Sequence, residues 1–131
     1  MALSTRTIRL GWSLIGWVGV ALILYLSLMP HPPELDIEQG DKLQHMAAYT
    51  VLMGWWAQMG ASDRANARIA LVILVFGIAI EFMQAGTGYR TFSVADMVAD
   101  ALGIALGWML APPRGPNLLR LTTTILGSDP R

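Results

Sequence analysis

Three carboxylates lie within apolar stretches of this chain, where charge is expensive. Glu81 comes near the end of one stretch, and Asp96 and Asp100 come near the start of the next. Such residues usually face a bundle interior or a wet cavity, because an unpaired carboxylate in hydrocarbon costs at least ~2.5–3.5 kcal/mol. Asp96, Asp100, Gly103 and Gly107 follow at steps of four, three and four, which predicts that they share one face of a helix.

Further polar side chains border these carboxylates at helical spacing. His45 and Tyr49 are four residues apart, and Gln84 follows the first carboxylate by three, so each pair shares a helix face. Lys42 and Arg90 flank the same stretches. The sequence therefore predicts a ligand-binding site made of nine residues: Lys42, His45, Tyr49, Glu81, Gln84, Arg90, Ser93, Asp96 and Asp100.

Charge balance limits what this site contains. If all three carboxylates ionise, they outnumber Lys42 and Arg90 by one. A protonated His45, a protonated carboxylate or a bound cation would restore the balance. The residues would be compatible with a divalent ion, but no metal-ligand spacing such as HExxH is present, so no metal and no cofactor is assigned.

Catalysis is one alternative for the same residues. Ser93, His45 and either Asp96 or Asp100 have the side chains of a hydrolase triad, but no nucleophile elbow accompanies them, so no catalytic residue is assigned. Ser93 and Asp96 also fit a helix capping box. Gly103 and Gly107 form a GxxxG motif, which more often mediates helix contact, within the chain or with a partner, than ligand binding.

The composition identifies the class of protein that holds this site. A chain of 131 residues has room for one domain, and with 54% hydrophobic residues, 14% charged residues and a mean hydropathy of +0.50 it is too apolar for an ordinary soluble domain. Nine basic and nine acidic residues give no electrostatic basis for nucleic-acid binding. The apolar stretches lack the two-residue alternation of membrane strands, which argues against a sheet.

We therefore predict an all-α integral membrane protein with a four-helix transmembrane bundle. One domain would cover residues 1–111, with helices at about 10–29, 43–60, 69–85 and 94–110. Pro30 should end the first helix, Asp41 should cap the start of the second with Gln44 returning a hydrogen bond, and Gly86 should cap the end of the third. Residues 112–131 form a tail, in which Asn117–Leu126 is either a short interfacial helix or irregular.

Basic residues in the loops predict the orientation. Seven of them fall at one side of the predicted bundle, and only Lys42 and Arg90 fall at the other. The basic side belongs in the cytoplasm, so both termini would be cytoplasmic. Four tryptophans, Trp12, Trp55, Trp56 and Trp108, would form an aromatic belt at this side. The polar site would then face outward.

The pattern formed by these residues resembles the VanZ-like family of small bacterial membrane proteins. Its first half is DKLQHMAAYTVL, which begins at Asp41, and its second half is EFMQ followed by Arg90, Ser93, Asp96 and the two glycines. The resemblance covers roughly residues 27–107. It implies a multi-pass protein of the bacterial cytoplasmic membrane, with a link to teicoplanin resistance in one member. One departure is Asp100, where an asparagine is expected.

Three functions are compatible with these observations. The first is binding of a membrane lipid or a lipid-linked, phosphate-bearing envelope precursor, with Lys42 and Arg90 on the phosphate and Glu81 and Asp96 orienting them. The second is a membrane hydrolase or transferase that uses His45 and carboxylates, with or without a metal. The third is a structural or interaction subunit, with a protein partner or a second copy at Gly103 and Gly107.

The predicted orientation can be tested by labelling, because the chain contains no cysteine. Glu38→Cys should react with a membrane-impermeant thiol reagent in intact cells, or in spheroplasts where an outer membrane intervenes. Ser62→Cys should react only after the membrane is opened, because the basic loops belong in the cytoplasm. The reverse labelling pattern would contradict the orientation and the outward-facing site.

Overall fold

The computed structural model describes residues 2–60 and 62–127, and within these ranges the chain forms five helices. The helices are α1 (Thr5–Leu28), α2 (Gly40–Gly60), α3 (Asp63–Thr87), α4 (Val94–Leu110) and α5 (Leu118–Leu126). The all-α prediction is confirmed. Helix α4 has the predicted bounds, whereas α1, α2 and α3 begin before their predicted apolar spans because the helical hydrogen bonds continue into polar residues. Of the two alternatives predicted for the tail, a short helix or an irregular segment, the structure shows the helix, which is capped by Asn117.

Two predicted helix caps are wrong. Helix α2 begins one residue before Asp41, because its first helical hydrogen bond is already made by the Gln39 carbonyl, which accepts the backbone N–H of Leu43 at 3.1 Å. Helix α3 continues through Gly86 and ends at Gly88, whose φ of 78° is the left-handed conformation that glycine adopts without a steric penalty. Helix α1 ends before Pro30, as predicted.

The helices run alternately up and down, which separates the charged residues into two ends. Trp12 of α1 stacks on Trp55 of α2 with ring centroids 4.0 Å apart, and each indole N–H donates to the backbone carbonyl of the other. At the same end Arg114 pairs with Asp63. We call this the arginine-rich end; it carries Arg6, Arg9, Arg64, Arg68, Arg114 and Arg120. The opposite, acidic end carries Glu34, Asp36, Glu38, Asp41, Lys42 and Arg90.

Helix α4 packs closely along α2 through its two glycines. A Cβ atom on Gly103 would lie 2.3 Å from the carbonyl oxygen of Met46, and one on Gly107 would lie 2.5 Å from that of Thr50. Both glycines are buried. Their helix contact is therefore made within the chain, and a contact with a partner protein through them stays a prediction.

The distribution of polarity is the reverse of that in a soluble bundle. Helices α1 and α3 are each long and apolar enough to cross a membrane. Large apolar side chains such as Leu14, Val72 and Leu102 point outward and are more than half exposed. Within residues 2–60 and 62–127, six polar or charged side chains are buried instead: Gln58, Asn66, Glu81, Gln84, Asp96 and Asp100. An apolar exterior around a polar interior is the arrangement that a lipid environment favours.

The close contact of α2 with α4 predicts how two glycine substitutions will differ. Gly103→Ala should destabilise the protein by about 1–3 kcal/mol, because its methyl group would force the two backbones apart. Gly86→Ala is the matched control, since a Cβ atom there meets nothing within 4 Å. It should be neutral or stabilising by roughly 0.5–1 kcal/mol, as expected for glycine in a helix. Thermal unfolding in detergent measures both, and equal stability of the two variants would contradict the packing.

Candidate functional site

Glu81 connects the end of α3 with the start of α4. Its side chain is completely buried, and its Oε2 accepts the backbone N–H of Ser93 at 2.8 Å. The Ser93 hydroxyl in turn accepts the backbone N–H of Asp96 at 3.2 Å, which is the predicted cap of α4. In a capping box the residue at Asp96 would return the second hydrogen bond. Here Glu81 makes that bond from another helix, so the Asp96 carboxylate remains free for other partners.

Asp96 pairs across the bundle with Lys42. The ammonium Nζ lies 2.7 Å from Asp96 Oδ1, and it also contacts the carboxylate of Asp41. Asp96 is 8% exposed, so its carboxylate is largely removed from water. The lysine was predicted to border the site, and the structure holds it between a buried and a solvated carboxylate.

The first turn of α2 lies before the predicted span at residues 43–60. Here the hydrogen bond from Lys42 lowers the pKa of the Asp41 carboxyl. The same bond and the second carboxylate, Asp96, raise the pKa of the Lys42 ammonium. The lysine is therefore a fixed cation of the site throughout the physiological pH range.

His45 lies between the two carboxylates of α4. Its Nδ1 is 2.9 Å from Asp100 Oδ1, and its Nε2 is 3.7 Å from Asp96 Oδ2. In the neutral imidazole, a hydrogen bond to an ionised Asp100 places the proton on Nδ1 and leaves the lone pair of Nε2 on the Asp96 side. Asp100 thus fixes both the orientation and the tautomer of the imidazole.

Tyr49 is buried one turn after the histidine, and its ring packs against α3 at Gly77. A Cβ atom on this glycine would lie 2.9 Å from Asp100 Oδ2 and 3.0 Å from the tyrosine hydroxyl. The absence of a side chain at Gly77 therefore provides the space for both groups. Sequence reasoning did not identify this residue, because a single glycine in an apolar helix carries no distinctive signal.

A cavity of about 230 Å³ opens beside the histidine at the acidic end. Its polar wall contains His45, Tyr49, Gln84 and Arg90, whereas Ile23 and Leu26 of α1 contribute an apolar wall. The complete lining is Ile23, Leu26, Ser27, Pro32, Pro33, Glu34, Asp41, Gln44, His45, Ala48, Tyr49, Gln84 and Arg90. A cavity with one charged wall and one apolar wall suits an amphipathic ligand better than a free ion.

Two glutamines that line this cavity form hydrogen bonds to the backbone of other segments. Gln84 is buried and donates from Nε2 to the carbonyl of Ser27 at 2.8 Å, which joins α3 to α1. Gln44 donates to the carbonyl of Pro33 at 2.9 Å, instead of capping α2 as predicted. It holds the proline-containing connection against the cavity. Sequence reasoning missed Gln44 as a cavity residue because the capping pattern accounted for it.

Arg90 lies on the loop between α3 and α4, which is held at several points. The Thr87 hydroxyl accepts the backbone N–H of Arg90 at 3.2 Å, and the Tyr89 hydroxyl donates to the carbonyl of Leu28 on α1. Ser93 at the far end of the loop donates to Glu81. Among residues 2–60 and 62–127, Arg90 forms no ion pair. Its predicted orientation by Glu81 is thus not seen, and its guanidinium lies at the cavity without a carboxylate partner.

The nine predicted residues therefore meet at the acidic end, but they divide into three groups. His45, Tyr49, Gln84 and Arg90 line the cavity. Glu81, Asp96 and Asp100 lie behind the cavity wall, and Lys42 pairs with one of them. Ser93 caps α4. The ligand-binding role assigned to the whole set stays a prediction.

The long apolar helices and the buried carboxylates together indicate a small, all-helical membrane protein. The family model described as VanZ/LLP1 matches residues 19–120, which contain all nine predicted residues. The chain belongs to the VanZ/LLP1 family, which confirms the resemblance seen in its sequence.

A relative also occurs in a eukaryote. The chain is similar to an uncharacterized protein of Schizosaccharomyces pombe, with 31% identity over 96 residues. The matched stretch is 71% of this chain but 59% of that protein, so the chain spans less than two thirds of the relative's length. No solved structure matches the chain.

The hydrogen bond between Glu81 and Ser93 predicts a contrast between two substitutions. Glu81→Ala would leave a partly buried N–H without its acceptor, which should cost about 1–3 kcal/mol. Glu81→Gln keeps a carbonyl oxygen that can accept this bond, so it should unfold within a few degrees of the parent protein. Thermal unfolding in detergent compares them. A glutamine variant as unstable as the alanine variant would show that the charge, rather than the cap, is required for folding.

Proposed function

We propose that the protein crosses the membrane four times and binds the phosphate-bearing head group of a lipid-linked cell-envelope component at its acidic end. The observation that carries the proposal is the cavity whose lining brings Arg90 together with the apolar side chains of Ile23 and Leu26. A phosphate beside the arginine would gain charge-assisted hydrogen bonds, and an attached hydrocarbon chain would follow the apolar wall of α1.

The lengths of the four main helices support the spanning arrangement. At ~1.5 Å per residue, α1, α2 and α3 measure between about 31 and 37 Å, and the 17 residues of α4 measure about 26 Å. These lengths are close to the ~30 Å of bilayer hydrocarbon. Helix α2 is less apolar than the others, which is compatible with its inner position against α4. We extend the proposal to a multi-pass location in a bacterial cytoplasmic membrane.

Charge asymmetry supports cytoplasmic termini and an outward-facing cavity. Six arginines lie at the arginine-rich end within the described ranges, and only two basic residues lie at the acidic end. Under the positive-inside rule the arginine-rich end belongs in the cytoplasm. The exposed Leu118, Leu121 and Ile125 of α5 would then rest in the cytoplasmic interface, as the composition of the tail suggests.

The two cations would have different tasks at the phosphate. Lys42 is already neutralised by two carboxylates, so its remaining attraction for an anion is reduced. Arg90 has no such partner in the described part of the chain and lines the cavity directly. The arginine is therefore the main phosphate contact of the proposal, and the lysine is secondary. The proposal includes a link to teicoplanin resistance, which the family resemblance implies.

Binding of a polyprenyl phosphate tests this proposal, with the polyprenol of equal chain length as the ligand control. The parent protein should bind the phosphate in preference to the alcohol in native mass spectrometry. Arg90→Ala should abolish that preference, because a charged hydrogen bond contributes roughly 1.5–3 kcal/mol, or a factor of about ten to one hundred and fifty in affinity.

Arg64→Ala is the matched protein control, because this arginine lies at the opposite end. Its phosphate binding should equal that of the parent protein. Unchanged binding in both Arg90→Ala and Lys42→Ala would contradict the proposed site. An equal loss in Arg64→Ala would show that phosphate is attracted by general charge rather than by the cavity.

A further inference from the structure

We propose that His45, Glu81 and Asp96 form a binding site for a divalent cation of the zinc type, in which Asp100 orients the histidine. One potential ligand atom from each of the three residues lies within 4.8 Å of the other two. The residues come from α2, α3 and α4, so the site depends on the packing of three helices. The sequence showed no metal-ligand spacing because the ligands are far apart along the chain.

An unsatisfied buried oxygen is the first independent sign of a ligand here. Glu81 is completely buried, and its Oε2 is used by Ser93. The other oxygen, Oε1, accepts no hydrogen bond from any residue between 2 and 60 or between 62 and 127. A buried carboxylate oxygen without a donor is costly in a protein interior. A cation bound between the three residues would satisfy it.

The histidine is arranged as metal-binding histidines commonly are. Its Nδ1 lies 2.9 Å from Asp100 Oδ1 and donates to that carboxylate. Histidine ligands of metals typically donate their second ring N–H to a carboxylate, which fixes the tautomer and increases the basicity of the other nitrogen. The free Nε2 lies on the side of Asp96, 3.7 Å from its Oδ2. Asp100 is thus a positioning residue, and Nε2 is the donor atom.

The donor set selects the class of cation. One imidazole nitrogen and two carboxylate oxygens match the ligands of Zn²⁺, which binds nitrogen at about 2.0–2.1 Å and carboxylate oxygen at about 2.0–2.2 Å. Mg²⁺ and Ca²⁺ prefer oxygen ligands alone, and their sites rarely include imidazole. Small rotations of three side chains would bring the atoms from their present separation to coordination distance. Three protein ligands would leave a position open for water or for another group.

Charge balance also favours a divalent ion. With a neutral histidine, the carboxylates of Glu81, Asp96 and Asp100 carry three negative charges, and Lys42 pairs with one of them. Two negative charges remain in the interior, and one divalent cation would neutralise them. Because Lys42 lies 2.7 Å from Asp96 Oδ1, its ammonium competes with the metal for that carboxylate. Removing the lysine charge should therefore strengthen metal binding.

This inference does not depend on the proposed lipid ligand. The cavity is lined by the histidine but by neither Glu81 nor Asp96, so phosphate binding and metal binding use different groups. Lys42→Met distinguishes them, because it should increase zinc affinity while it weakens or leaves unchanged the binding of polyprenyl phosphate. A failure of one proposal is thus visible without a failure of the other.

Zinc uptake by tag-free protein, first treated with a chelator, tests the site. Elemental analysis after equilibration with Zn²⁺ should find about one ion per chain. Glu81→Gln and His45→Gln should each lower the affinity at least tenfold, since each removes one of three ligands. Glu38→Gln is the matched control, because it removes an exposed carboxylate that lies at the same end but does not line the cavity, and it should leave the affinity unchanged.

Several results would overturn the site: no stoichiometric zinc in the parent protein, unchanged affinity in both ligand variants, an equal loss in Glu38→Gln, or a weaker affinity in Lys42→Met. If the ligand variants do not fold, X-ray absorption at the zinc edge of the parent protein decides the question. One imidazole with oxygen ligands supports the site. A shell of oxygen alone, or one with several imidazoles, overturns it.

Discussion

The cost of placing carboxylates inside an apolar bundle is the constraint on which the rest of this structure depends. Glu81, Asp96 and Asp100 are buried, and each has a defined partner: a backbone N–H, an ammonium and an imidazole. These partners come from different helices, so each charge requires a particular arrangement of the bundle. Breaking one partnership would leave a buried charge uncompensated, which costs more than the intact pair contributes. These pairings thus restrict how the helices can pack against one another.

Close backbone contact between α2 and α4 allows the ion pairs between these two helices to form. Because Gly103 and Gly107 allow α4 to touch the carbonyls of α2, the short side chains of Asp96 and Asp100 reach across to the second helix. With larger residues at the two glycines, the helices would separate and the ion pairs would lengthen. The GxxxG motif and the carboxylates on the same face of α4 therefore act together: the glycines allow the close helix contact, and the carboxylates form their ion pairs across it. In the sequence they appear as unrelated patterns.

Sequence patterns predicted the helical class, the family and the residues that meet at the acidic end, because burial cost and helical spacing are local properties. They did not predict the partners. The pattern from Ser93 to Asp96 correctly indicated a cap, yet its second half is provided by Glu81, twelve residues earlier on another helix. Asp41 and Gln44 satisfied a local capping pattern, but Asp41 pairs with Lys42 and Gln44 donates to the carbonyl of Pro33. Where a local capping arrangement and a tertiary arrangement of the same side chain differ by only about one hydrogen bond, the tertiary contacts decide which one forms.

The anchored loop between α3 and α4 has a consequence for recognition. Six residues, 88–93, connect α3 to α4, and hydrogen bonds restrain this loop at Thr87, at Tyr89 and at Ser93. A loop so restrained has little conformational entropy left to lose when its side chains engage a ligand. An arginine on a free loop would lose much of its binding energy in becoming ordered, whereas Arg90 stands on a backbone already in place. The loop backbone therefore loses its conformational entropy when the protein folds and not when a ligand binds. A ligand at this loop would contact a preorganised surface.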